Sequence, residues 1–227
     1  GDATSLSEVE EFERARDVLA PLLTLGVPCI ALPGNHDRYT HTAQRARRFE
    51  EAFADWRLLA SPWEQITIGD QVVDFVDTAR ANRMIWDSRG RKIEVPNRPP
   101  RWVFAHYAVI DHRAEPDKKW HALRDEESVR TRLRDGPGTV WCCGHLHRSF
   151  TARAGGLLQY CAGSVGGPKG NWQMLEYIDD QVRRQAWSKD GPGRVSKLRY
   201  RATRTAPRAR SSPPLLPRPP RGHRRAS

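Results

Sequence analysis

CIALPGNHD, residues 29–37, and VWCCGHLHR, residues 140–148, are built on one plan, and that plan decides how the chain is read. An apolar run ends, a glycine follows, and metal-binding residue types come at once. A third stretch, WVFAHYAV at residues 102–109, runs from apolar residues straight into one histidine. Alone, Pro33-Gly34-Asn35 is ordinary turn chemistry. Together the three runs put polar donors just past buried strands, along the sheet edge where α/β folds place their sites.

The donor types agree with one another. Asp2, Asn35, His106, His145 and His147 offer one carboxylate, one amide oxygen and three imidazoles. Such a mixed set suits Zn, Mn or Fe, not the all-oxygen shell that Ca or Mg prefers. His145 and His147 are one residue apart. Extended, they share a face; in a tight loop they reach two adjacent metals. Gly34 and Gly144 let the backbone come close and turn. His41, His112 and His121 follow no buried strand and read as surface or supporting groups.

Composition narrows the partners. With 227 residues, 38% of them hydrophobic, the chain can bury one good core. No run approaches the roughly 20 apolar residues of a membrane helix, and no charged-then-apolar leader reads as a signal peptide. The net charge of +11 comes from 38 Lys+Arg against 27 Asp+Glu. Eleven of the basic residues and none of the acids lie from Arg194 to Ser227, so the remainder is balanced. Nucleic-acid contact is thus confined to a basic tail, where it would be salt-dependent and blind to sequence. Cys29, Cys142, Cys143 and Cys161 form no C-x-x-C pair and sit in strand-like runs. They read as buried reduced thiols, which predicts a cytoplasmic protein.

Periodicity predicts a helix over 5–20, capped by Ser5 with Glu8 and stopped or kinked at Pro21. A buried strand follows over 27–32 and a helix over 42–55 with Phe49, Phe53 and Trp56 on one side. A hairpin is expected at 66–68 and 72–77 around Gly69-Asp70, then a long polar loop over 79–100. Further strands fall at 101–105, 139–143, 157–162 and 174–178, and a helix at 125–133. This mixture favours a layered α/β sandwich with mixed sheets. Residues 1–190 form the expected domain. Residues 191–227, rich in Arg, Pro and Ser, form a disordered tail.

GD…GNHD…H…GHLH, in that order, resembles the calcineurin-like metallophosphoesterase superfamily and is most similar to its class III cyclic-nucleotide phosphodiesterases. The likeness runs from Gly1 to about Trp187. It implies a four-layer α/β/β/α sandwich and two divalent or mixed-valence transition-metal ions (Mn, Fe or Zn). Asp2 matches the aspartate that bridges them. Asn35, His106 and His145 match the other protein ligands of one ion, and His147 a ligand of the second. His36 matches the residue that contacts the phosphate and assists the leaving group. Asp37 falls where the family has an acidic residue that orients it. The activity implied is hydrolysis of a small phosphoester by a metal-bridged hydroxide, with a 3',5'-cyclic nucleotide as the substrate of the most similar branch. Phosphomonoesters, or other substrates of the superfamily's phosphatases and nucleases, are the alternatives. Trp63, Trp86, Arg80, Arg83, Arg89 and Arg91 are candidates to hold a base and a phosphate.

The family's opening strand and its Asp-x-His, which complete the second metal site, have no match here. The sequence is therefore expected to be the truncated remainder of a longer reading frame. The alternative to an enzyme is an inactive remnant with at most one metal site.

Overall fold

A computed structural model of the chain describes residues 1–80, 88–97, 101–118, 121–166, 170–178 and 181–199. The predicted Gly69-Asp70 hairpin is present as β1 (Trp63–Ile68) and β2 (Gln71–Val76), with Gly69 left-handed at φ 62°. It feeds a mixed six-stranded sheet with β3 (Trp102–Ala105), β4 (Thr139–Cys143), β5 (Phe150–Ala154) and β6 (Leu157–Cys161), in the order β1-β2-β3-β4-β6-β5. β2, β3, β4 and β6 run parallel, while β1 and β5 close the edges antiparallel. β7 (Trp172–Ile178), β8 (Gln181–Ser188) and β9 (Gly191–Arg199) make a separate antiparallel sheet. The fold is mixed α/β, as the sequence predicts.

Both faces of the central strands are buried, which is why they read as continuous apolar runs rather than as alternation. Val103, Trp141, Cys143, Leu157 and Cys161 face one cluster, which includes Val129 and Leu133 of α4 (Glu126–Arg134). Phe75, Trp102, Val140, Cys142, Leu158 and Tyr160 face the other, with Leu175 of β7 and Val182 of β8. The parallel register brings the C-terminal ends of β3 and β4 level, with Phe104 beside Cys142. The loops that leave those ends carry His106 and His145.

Several elements differ from expectation. α1 (Val9–Leu23) starts later because Glu8, not Ser5, takes the N-cap, and the Glu11 carboxylate accepts the N–H groups of Ser5, Leu6 and Glu8. Pro21 lies inside the last turn, where its missing N–H removes only one helical bond. Residues 27–32 are not a buried strand. They make a single parallel bridge, Ile30 to Arg57, because Pro28 and Pro33 cannot donate to a ladder; Val27 is 56% exposed. The expected 42–55 helix is split into α2 (His41–Arg45) and α3 (Arg48–Ala52) by left-handed Arg47, φ 52°. Phe49 and Phe53 still pack with Phe12 of α1. Three cysteines are buried, but Cys29 is partly exposed. Residues 191–199, which composition assigned to the tail, turn back at Gly191 (φ 108°) and pair with β8. Residues 200–227 lie outside the described residues.

Gln159 fixes the loop that follows His106. Its side chain is fully buried on β6; Oε1 accepts the N–H groups of Val109 (2.8 Å) and Ile110 (3.1 Å), and Nε2 donates to the Ile110 carbonyl (2.6 Å). Gln159→Leu leaves these three backbone groups without partners. We expect a loss of about 3 kcal/mol of stability, at roughly 1 kcal/mol or more per orphaned group. Urea unfolding of the two proteins checks it, and a difference under about 1 kcal/mol would contradict it.

Candidate metal centre

Five segments meet at the C-terminal edge of the sheet. Asp37 ties two of them. Its carboxylate, 1% exposed, accepts the N–H groups of Asp2 (2.7 Å), Gly34 (2.8 Å) and Thr4 (3.0 Å) and the Thr4 hydroxyl (3.3 Å). Residues 1–4 are thereby laid against the 33–37 turn. Their fit is tight: a Cβ on Gly34 would lie 2.0 Å from Asp2 Oδ1 and 2.3 Å from Asp2 N. Gly34 is there for close approach, as expected. Gly144 is not, since a Cβ there would meet nothing nearer than 3.8 Å. The Gly144 N–H instead donates to the His106 carbonyl and joins the β3 and β4 loops (3.0 Å).

Four donor atoms converge. Asn35 Oδ1 lies 3.0 Å from both His106 Nε2 and His145 Nδ1, and those two nitrogens are 3.3 Å apart. Asp2 Oδ2 lies 3.2 Å from His106 Nε2, yet it is buried and has no hydrogen-bond partner. Asp2 Oδ1 accepts the His36 N–H at 2.9 Å. His145 Nε2 faces the His121 carbonyl at 2.9 Å. A carbonyl can only accept, so the neutral ring carries its proton there and turns the Nδ1 lone pair to the cluster.

Protonation works in the same direction. Burial pushes the His106 imidazolium below its ordinary range, against the opposing pull of Asp2. Burial also lowers His145 well below it, and the neighbouring His106 and His121 rings disfavour a further positive charge there. Burial alone would raise the Asp2 carboxyl, but the adjacent His106 ring and the His36 N–H hold it well below the carboxylate range. Two neutral rings, an amide oxygen and a carboxylate therefore share one point with at most one hydrogen among them. The lone pairs are in surplus, and a cation is what satisfies them. With bonds of about 2.0–2.2 Å, tetrahedral to octahedral ligands stand roughly 2.8–3.6 Å apart, and the separations above fall in that span. The residues present fit a transition-metal ion.

The backbone supports this arrangement at a cost. Asp2 (φ 58°), His145 (φ 64°) and His147 (φ 51°) are all left-handed without being glycine. His147 is exposed and lines the same cleft, but it stands outside the converging group. His36 is oriented by other neighbours than the sequence reading expects. Its Nδ1 donates to the Ser5 carbonyl (2.6 Å) and its ring stacks on Tyr39 (centroids 5.4 Å, 12°), while the Asp37 carboxylate is taken up by the four donors above.

Sequence reasoning missed His121 and Asp117. His121 stacks on His145 (3.9 Å, 25°) and pairs with Asp117 Oδ2 through Nδ1 (2.8 Å). No strand precedes either residue, so strand-end placement could not find them. His41 is exposed, and His112 lies 3.8 Å from Asp111 rather than at the cluster. Of the proposed base-holding residues, Trp63, Arg80 and Arg91 are engaged elsewhere: Trp63 donates to Asp74 (2.7 Å), Arg80 to the Arg89 carbonyl (2.7 Å), and Arg91 to the Ala79 carbonyl (2.5 Å). Arg83 and Trp86 lie outside the described residues. A cleft of about 770 Å³ opens beside the cluster, floored by Phe75, Phe104 and Tyr160, with Trp172 at its rim.

Comparison with known proteins gives one family. The calcineurin-like phosphoesterase family matches residues 1–149. No curated protein matches the chain. Among solved structures it is similar to a conserved protein described as a predicted phosphoesterase from Streptococcus pneumoniae, at 11% identity and TM-score 0.39, covering 87% of this chain and 92% of that one. It is also similar to wild-type Vps29 with Zn²⁺ from Entamoeba histolytica, at 13% identity and TM-score 0.35, covering 80% and 88%. Among the described residues, no helix is long and apolar enough to cross a membrane.

Proposed function

Since the chain belongs to the calcineurin-like phosphoesterase family, we propose that it is a metal-dependent phosphodiesterase whose first ion is held by Asp2, Asn35, His106 and His145. The observation that carries the proposal is the four-atom convergence, with Asp2 Oδ2 buried and unpartnered within it. A second ion would share Asp2 and take His147. Bound ions of this kind neutralise phosphoryl oxygens and lower the pKa of water, which supplies the nucleophile.

The chain's own residues do the rest. Asn35, His106 and His145 present lone pairs without having to shed protons, because both rings are already neutral. His36 has its Nδ1–H held by the Ser5 carbonyl. Nε2 is then the ring atom left for the departing oxygen: the imidazolium form gives up its Nε2 proton there and remains as the neutral ring with Nδ1–H on Ser5. Its stacking on Tyr39 fixes the direction of that transfer. The substrate we favour is a phosphodiester, a 3',5'-cyclic nucleotide foremost. The apolar floor of the cleft and Trp172 at its rim suit a nucleobase beside the phosphate.

The test is Mn²⁺-dependent hydrolysis of bis-p-nitrophenyl phosphate. His145→Ala should lower the rate by about a thousandfold, roughly 4 kcal/mol of transition-state stabilisation. Equal rates for the two proteins would overturn the reading.

A further inference from the structure

Near the first cluster stands a second group of ligand types, in which Asp117 and His121 were not read as ligands from the sequence. One ligand atom each from Asp117, His121 and His145 lies within 4.8 Å of the other two. Asp117 Oδ2 and His121 Nδ1 are 2.8 Å apart, again the separation of neighbouring ligands on one ion. Both residues line a cleft of about 340 Å³ together with Asp2, His36 and His147. The His145 ring stands between the two groups. Its Nδ1 faces the Asn35 cluster, and its plane stacks on His121.

We propose that Asp117 and His121 are protein ligands of a second cation, held in the cleft that His147 also lines. One carboxylate and two imidazoles, with room in the cleft for water, form a donor set for Zn²⁺ or Mn²⁺. On this reading the loop between β3 and α4 supplies donors of the second site. The Asp117–His121 hydrogen bond gives way on binding: the imidazolium releases its Nδ1 proton to solvent, or the neutral ring moves its hydrogen from Nδ1 to Nε2 through solvent, and the carboxylate oxygen and Nδ1 both turn their lone pairs to the ion. The competing explanation is a plain ion pair between residues i and i+4 that steadies the loop.

The inference rests on the proposed first site, and the experiment separates the two. The full chain and the variants Asp117→Asn, His121→Gln and Asn35→Ala are loaded with Mn²⁺, dialysed, and assayed for metal per folded chain. Folding is checked by near-UV circular dichroism. The wild type should hold two ions. Asp117→Asn and His121→Gln should each hold one tight ion, with the second weakened at least tenfold. Asn35→Ala should lose the first ion and keep the second. Unchanged stoichiometry and affinity in both Asp117→Asn and His121→Gln would overturn the inference, as would a wild type holding one ion that Asn35→Ala removes; that last result leaves the proposed function standing. A wild type that holds none would overturn both. Asp117→Asn and His121→Gln are close in size to the residues they replace and lie in a partly exposed loop, so folding is expected to survive both.

Discussion

Asp37→Ala should cost about 4 kcal/mol of stability, at roughly 1–3 kcal/mol for each buried donor left without an acceptor. Three N–H groups lose the same buried carboxylate, while the Thr4 hydroxyl keeps the His36 carbonyl at 3.0 Å. For a domain of this size that is a fall in melting temperature on the order of 10 °C. Asp37→Asn should fall between the two, because an amide can accept on one side only and turns its NH₂ against a backbone donor. Calorimetry on metal-free protein is the right measurement, since it separates the structural role from any effect on bound ions. A shift below about 3 °C would show that residues 1–4 are held by something else. The expected result would give Asp37 a structural role: its carboxylate builds the turn that presents Asn35 and His36.

Gly34→Ala should damage the site more than any other substitution of one atom's size. The added carbon would sit 2.0 Å from Asp2 Oδ1 and 2.3 Å from Asp2 N. The second of these is backbone, so no rotamer change relieves it. Overpacking of this kind costs about 1–3 kcal/mol even where neighbours can shift. Here the residue that must move is a proposed ligand. Metal affinity should fall about a hundredfold or more, near 2.7 kcal/mol, and hydrolysis with it. Isothermal titration with Mn²⁺ checks this. Gly144→Ala is the control, because its nearest neighbour would be 3.8 Å away. If the two alanines behaved alike, packing against Asp2 would not be the cause.

What the sequence disclosed follows from range. The GHLH run was legible because a buried strand and the polar residues after it are neighbours in the chain, and GNHD because its own residue order is distinctive. Asn35, His106 and His145 duly meet. The hairpin at Gly69-Asp70 was legible for the same reason. Residues 27–32 misled because apolar content alone suggests a strand, whereas two prolines take away the donors that a ladder needs. The 42–55 helix misled because its periodicity passes over Arg47, whose left-handed conformation leaves no mark in composition. β5 has Phe150-Thr151-Ala152-Arg153-Ala154, too weakly patterned to declare itself; its pairing with β6 makes it a strand. Asp117 and His121 were invisible because their partner, His145, is more than twenty residues away. The orientation of His36 by Ser5 was beyond reach too, since it depends on how residues 1–5 lie across the turn.

The left-handed backbone at Asp2, His145 and His147 has a consequence for how such a protein can change. Each of the three forgoes about 1 kcal/mol or more that glycine would not. Selection for thermal endurance alone would therefore drift toward glycine or asparagine at these positions, trading away donor atoms for ease of the main chain. Of the six left-handed non-glycine residues among the described residues, half stand where ions would be held, so that much of the chain's backbone strain serves the site rather than the fold.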